Sequence, residues 1–260
     1  MFGKYIQQKA QEHAKKCFPF ESVGAVIRTD NGAKEGKAFE YVELVNIAEN
    51  KENHFLVSSD DLVNIMPRLA AIIHSHTANE KDQVIRLYPS QADMESQLAF
   101  GVPFGITYAS HEIASNILWF GDSVPKADLV GRYFVHGVQD CYSLIRDYYR
   151  KELNIHLKEF PRNWEWWQNG QDLYKQGFEQ TGFKAIPLSE IKSGDVILMA
   201  VTPDTARNGV PCHGAIYLGN EVILHHLSSK NPYDKGRLSC HAPLQKYIKL
   251  ITHVLRHEER

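Results

Sequence analysis

The sequence predicts two consecutive mixed folds, an α/β unit followed by an α+β unit. Three observations lead there. In the first half, short β-branched runs alternate with helix-patterned stretches. In the second half, one long helix pattern precedes a series of strand candidates. Between them the stretch Gly121–Lys126 (GDSVPK) interrupts both patterns. The chain of 260 residues is long for one core and sufficient for two. The expected division is a domain over 1–121, a linker over 122–130 and a domain over 131–260.

Taken in order, residues 3–17 read as a helix stopped ahead of Pro19. Val23–Arg28 and Tyr41–Ile47 read as strands. Ser59–Leu69, entered through Ser-Ser-Asp-Asp, reads as a capped helix. Ala70–Ser75 is a short apolar run ending in a histidine pair, and Thr77–Tyr88 is a polar loop. Ser90 caps a helix running to about Phe100. Phe104–Ala109 and Ile113–Phe120 are further strand candidates. Asp128–Phe134 leads into the second half, where Cys141–Leu153 reads as a helix. Val196–Met199 is a strand after Ser193-Gly194-Asp195. His213–Leu218 and Val222–His226 flank Gly219-Asn220, a hairpin signal.

Composition excludes some classes. The 29 basic residues nearly balance 31 acidic ones, so no electrostatic case exists for nucleic acid or an anionic membrane. No stretch is apolar for long enough to span a bilayer, and the N-terminus lacks the apolar core of a signal peptide. Synthesis in a cytoplasm without signal-directed export is the expectation. The four cysteines, Cys17, Cys141, Cys212 and Cys240, form no C-x-x-C pair and read as free thiols.

Two groups of residues carry chemistry. His74 and His76 stand two apart on a strand, so both imidazoles share one face and can reach one ion. Asp93, in the first turn of the helix capped by Ser90, supplies a third ligand. Three protein ligands leave a fourth position for water, the arrangement of a catalytic Zn2+ site. Glu21, ahead of an early strand, is the candidate general base, and Ser90 a candidate oxyanion donor. In the second half, Cys141 opens a helix just after Asp140, where the helix dipole favours thiolate. His213, at the start of a strand, is its candidate base. A third polar group should orient that imidazole, and His225 and His226 compete for the role. A two-residue loop at Gly219-Asn220 pairs 213 with 226, while one extra residue pairs it with 225. Tyr133 is a candidate oxyanion donor. Cys17, Cys212, Cys240 and the cluster Trp164, Trp166 and Trp167 read as packing.

Glu21, His74-Ser75-His76 and Ser90-Gln91-Ala92-Asp93 together resemble the JAB/MPN (JAMM) metallopeptidase motif over roughly residues 1–120. The loop from His76 to Ser90 is longer than usual in that family, and Thr77 replaces a common proline. Asp140-Cys141, Gly194-Asp195 and His213-Gly214-Ala215-Ile216-Tyr217 resemble the NlpC-type cysteine peptidases over about 128–257. In that family the third polar residue comes twelve positions after the histidine, which selects His225. These resemblances imply a JAB/MPN-like mixed sheet with flanking helices, then a papain-like α+β domain. Their order along one chain resembles a family of tail-tip assembly proteins from lambda-like phages. It implies thiol hydrolysis of peptidoglycan stem peptides between D-glutamate and diaminopimelate, with zinc-dependent peptidase activity in the first domain. The partners implied are peptidoglycan stem peptides and other phage tail-tip proteins. The place implied is the host cytoplasm during assembly or the virion tail tip. A structural assembly factor with dispensable sites is the competing class.

Overall fold

A computed structural model describes residues 1–29, 38–77, 86–228 and 231–260. The chain divides into two compact units, Met1–Pro125 and Lys126–Arg260, and the division falls inside the 122–130 stretch. Among the described residues, no helix is long and apolar enough to cross a membrane.

The first unit is a five-stranded mixed sheet with helices. Its elements are α1 (Gly3–Cys17), β1 (Val23–Arg28), β2 (Phe39–Leu44), α2 (Ser59–Ile65), β3 (Leu69–Thr77), α3 (Gln91–Phe100), β4 (Phe104–Ala109) and β5 (Leu118–Phe120). The strand order is β2-β1-β3-β4-β5. Only β3 and β4 run parallel, as expected where the connection passes through a helix, α3. The apolar run Leu69–Ile73 enters the middle of the sheet, so β3 is buried along nearly its whole length. Ile6, Ala10 and Ala14, four residues apart, form the buried face of α1. Ile6 and Ala10 pack with Val26, Tyr41, Ala71 and Ile73.

Three expected elements shift, each for a local reason. The strand expected over Tyr41–Ile47 occupies Phe39–Leu44. The Asn46 side chain takes the backbone out of the sheet, donating to the carbonyls of Glu21 (2.9 Å) and His54 (3.0 Å) and accepting from Ala48 and Leu56 N–H. The helix expected over Ser59–Leu69 ends at Ile65, because Pro67 turns the next residues into a short 3-10 segment. Its cap is Ser58, whose hydroxyl accepts from the Asp61 amide. The strand expected over Ile113–Phe120 is reduced to Leu118–Phe120. The Ser115 hydroxyl accepts the Tyr108 amide, and the Ser115 amide donates to the Tyr108 carbonyl. Most of the expected loop Thr77–Tyr88, residues 78–85, lies outside the described residues.

The second unit is α+β. It comprises β6 (Tyr133–Val135), α4 (Cys141–Leu153), α5 (Leu173–Glu179), β7 (Phe183–Ile186), β8 (Val196–Met199), α6 (Pro203–Asn208), β9 (His213–Gly219), β10 (Val222–His225), β11 (Tyr233–Leu238), β12 (Cys240–Pro243) and β13 (Ile251–His257). Six strands pair antiparallel in the order β12-β10-β9-β8-β13-β7, and β6 pairs with β11. Leu144, Ile145 and Tyr149 of α4 pack on Val196, Leu198 and Ile216 of the sheet. The Gly194-Asp195 pair has a structural task. The fully buried Asp195 carboxylate accepts from the Lys192 amide and from Arg256 (3.0 and 2.7 Å). It thereby ties the entry of β8 to β13.

Gly24 illustrates close approach in the first unit. A methyl group there would overlap the Tyr41 ring, whose hydroxyl is bonded to His13 Nδ1 at 3.0 Å. Gly24→Ala should lower stability by about 1–3 kcal/mol through forced repacking. Urea melts of the two proteins measure this, and an unchanged midpoint would contradict the packing described.

Candidate active sites

Cys141 is the first residue of α4, and Asp140 is its N-cap. The Asp140 carboxylate accepts from the Ser143 amide (2.9 Å) and hydroxyl (3.0 Å) and from the Gly137 amide (2.8 Å). Arg162 closes the cap with three charge-assisted bonds of 2.7–3.0 Å. Arg162 also donates to Glu159 (2.7 Å), and Glu159 in turn accepts from Arg146. His136 lies against this group, its Nδ1 3.7 Å from Asp140 and its Nε2 3.0 Å from the Arg162 carbonyl. Burial works to raise the Asp140 pKa. Arg162, with His136 and the two amides, instead holds it well below the usual carboxylate range.

The Cys141 sulfur is bonded to the Tyr174 hydroxyl at 2.9 Å. Burial, and next the Asp140 charge, push the thiol pKa up to about 11. Burial and the Asp140 charge thus oppose the helix dipole that was expected to favour thiolate. The dipole acts over one turn on a partial charge, whereas desolvation and a full negative charge one residue away act directly on the sulfur.

His213 opens β9, with Nε2 3.3 Å from Nδ1 of His225. The expected hairpin register is also corrected. The loop residues are Asn220 and Glu221, both left-handed (φ 50° and 59°), and the pairing shifts between Val222 and Ile223. His225 then sits opposite Ala215, two residues from His213 on the same face, so the two imidazoles are diagonal neighbours. His226 lines the same cavity as Cys141 and His213, but its Nε2 is 3.2 Å from the Arg237 carbonyl and its ring is edge-on to Phe134. Tyr247 lies 3.5 Å from His225 Nε2. Burial lowers the pKa of both imidazoles, His213 far below its ordinary value and His225 to about 4. At neutral pH both rings are uncharged beside an uncharged thiol.

Cys141 and His213 line one cavity of about 680 Å³. Its walls include Trp164, Trp166, Trp167, Tyr174 and Phe178. Trp166 and Trp167 pack in the core as expected, and together with Trp164 they also line this cavity. Cys212 lines the cavity too, with its sulfur 3.3 Å from the Thr205 hydroxyl. Gly214 allows β9 to approach α4. A Cβ there would fall 2.7 Å from Ile145 and 3.2 Å from the Tyr174 hydroxyl. Tyr133 sits in β6 against Tyr233, and the hydroxyl at the sulfur belongs to Tyr174 instead.

In the first unit, His74 Nε2 and His76 Nε2 are 3.1 Å apart, and each is 3.3 Å from an Asp93 oxygen. Ser75, between the histidines, accepts the Ser22 amide at 2.8 Å and donates its own amide to the Ser22 carbonyl. That clasp sets Glu21 beside the histidine strand. Glu21 lines a cavity of about 280 Å³ with His76, Ser90 and Asp93, and burial pushes its pKa up to about 8. The Ser90 hydroxyl is engaged in a capping box, donating to Asp93 (2.8 Å) and accepting the Asp93 amide (3.1 Å). His76 Nδ1 is 2.6 Å from the Arg86 carbonyl, while the buried His74 Nδ1 has no partner among the described residues.

Comparison with known proteins supplies the lineage. Residues 131–251 match the NlpC/P60 family. The tail tip assembly protein K of Escherichia phage lambda is 34% identical over 179 residues, covering 67% of this chain and 80% of that protein. The chain belongs to the tail tip assembly protein K family. Protein K of Escherichia phage N15 is 26% identical over 229 residues, 85% of each chain. Among solved structures, NlpC1 from Trichomonas vaginalis is 19% identical, with a TM-score of 0.35, over 49% of this chain and 40% of that one.

In this K-family chain, Arg162 had no legible role in the sequence, because it lies 22 residues from Asp140 and in no periodic element. Its removal leaves a buried carboxylate without its cationic partner, held by the Ser143 and Gly137 donors. Arg162→Met should cost about 3–5 kcal/mol at pH 7. Because the folded pKa of Asp140 is depressed, its stabilising share is full above its unfolded pKa of about 4 and is lost as pH falls further. The penalty should therefore shrink at pH 3, as read from urea melts at both pH values. An equal penalty at both would contradict the ion-pair account.

Proposed function

We propose that this K-family chain cleaves peptide stems of peptidoglycan with Cys141, acting at or during assembly of a phage tail tip. The observation that supports it most is the cavity lined by both Cys141 and His213, with His225 bonded to His213. The identity with the lambda protein supports other tail proteins as partners, and the NlpC/P60 match supports a thiol hydrolase.

The charge states imply an order of events. With Nε2 of His213 committed to His225, we assign Nδ1 as the nitrogen that serves the thiol. The productive tautomer has His213 Nε2–H donating to His225 Nδ1, and His225 Nε2–H directed to Tyr247. The thiol proton passes to His213 as the sulfur attacks the amide carbon, because no thiolate is formed in advance. His213 then gives that proton to the departing amine, and water releases the acyl group from sulfur by the same path in reverse. The bond proposed is that between D-glutamate and diaminopimelate.

For the first unit we propose a zinc-dependent peptidase site. Zinc bonds of about 2.0–2.1 Å in tetrahedral geometry place ligand atoms about 3.3 Å apart. His74 Nε2 and His76 Nε2, 3.1 Å apart, are close to that spacing, and each stands 3.3 Å from a different Asp93 oxygen, Oδ1 for His74 and Oδ2 for His76, so the three side chains could hold one ion. Zinc bound there would make hydroxide available near neutral pH. Glu21 is placed to hold a proton beside it, and Arg86 orients His76 through its carbonyl.

Mass analysis of muropeptides tests the thiol reading. Cys141→Ala should reduce cleavage by on the order of 10⁴–10⁶-fold, while Cys240→Ser, at an exposed thiol, should leave it intact. Equal activity in both variants would contradict the assignment. Elemental analysis tests the metal reading. Purified protein should hold about one zinc per chain, lost in His74→Ala and kept in Glu21→Gln. Unchanged zinc in His74→Ala would contradict it.

A further inference from the structure

The thiol site contains one buried hydroxyl that the mechanism above does not use. Tyr174, on α5, touches the sulfur itself at 2.9 Å. Its position is held from several sides. The ring is stacked on Phe178 with an interplanar angle of 12° and lies edge-on to Trp166 and Tyr142. Gly214 leaves the space that the hydroxyl occupies, since a Cβ there would stand 3.2 Å from the Tyr174 oxygen. Asp172 caps the start of α5 by accepting the Lys175 amide at 3.0 Å. Gly177 brings the same helix against Phe160, where a Cβ would meet the ring at 3.2 Å. A side chain fixed this closely, with its one polar atom on the candidate nucleophile, does more than fill the core.

We propose that Tyr174 is a catalytic hydroxyl donor, holding the Cys141 sulfur before attack and the substrate oxyanion after it. The proposal rests on Cys141 being the nucleophile. Once the sulfur bonds the carbonyl carbon, the oxyanion lies two bonds from it, and the phenol hydroxyl that touches the sulfur is the donor assigned to that oxygen.

The step balances without net transfer from tyrosine. The thiol gives its proton to His213 Nδ1 and the sulfur bonds the carbonyl carbon. The carbonyl π pair moves onto oxygen, and that oxygen takes the Tyr174 O–H bond in place of sulfur. On collapse the pair returns, the C–N bond breaks and the amine leaves with the proton from His213. Tyr174 keeps its own proton throughout. Burial raises the phenol pKa well above its ordinary value, which suits a group that donates a hydrogen bond and never ionises.

Tyr174→Phe removes only the hydroxyl and keeps the stacked ring. Two readouts are taken with Cys141→Ala as a parallel control. The first is kcat and KM on a purified stem peptide. The second needs no substrate: the rate of Cys141 alkylation by iodoacetamide against pH, with the modified residue located by mass spectrometry. The expected result is a fall in kcat of about 10²–10³-fold with KM little changed, and an alkylation midpoint moved to higher pH because the sulfur has lost a donor. Wild-type kcat and midpoint in Tyr174→Phe would overturn the proposal. So would a loss of activity with the midpoint unmoved, since a packing defect lowers the reactive fraction equally at every pH. Full activity in Cys141→Ala would instead remove the thiol reading on which the proposal stands.

Discussion

The second unit is organised around one buried ion pair, Asp140 with Arg162. The carboxylate caps α4 one residue before Cys141, and the guanidinium arrives from the segment that leads into the tryptophans. Burying both charges carries a large desolvation cost, so the pair is weak evidence of added stability. Its effect is positional. It fixes the first turn of α4, the Gly137 turn and the 159–162 segment relative to each other. Trp164, Trp166 and Trp167, which line the cavity, come soon after that last anchor in the chain.

The same pair bears on the chemistry. Its carboxylate is the nearest full negative charge to the thiol and joins burial in holding the proton on sulfur. A buried imidazole pair, His213 and His225, is likewise uncharged. The thiol and both imidazoles are thus held in their uncharged forms at neutral pH, beside the charged Asp140 and Arg162 pair. In the first unit the converse holds. Asp93 stays ionised because two imidazoles face it, and its acceptor oxygens converge with their nitrogens on one point.

The long elements were legible because their periodicity and caps agree. Ser90 before α3 and Asp140 before α4 both cap as their positions suggest. Strand ends were less legible, since Asn46 and Ser115 end strands by side-chain bonds to distant backbone. Adjacent candidate residues such as His74 and His76 could be read from the period of a strand. The hairpin register could not, because a bulge after Val222 moves the pairing by one without leaving a turn signature. Arg162 and Tyr174 reach the site from irregular or short segments far along the chain, and no spacing rule connects them to Cys141. The Trp164, Trp166 and Trp167 cluster was visible as a cluster, but no period in the sequence gives its facing toward the cavity.

Covalent capture tests the central claim most directly. The protein is mixed with a stem peptide, quenched in acid within milliseconds to seconds, and analysed by intact and peptide mass spectrometry. A thioester between the acyl fragment and Cys141, absent from Cys141→Ala, is the result the account predicts. Turnover of the peptide with no acyl group on Cys141 at any quench time, or with the acyl group on another residue, would contradict it.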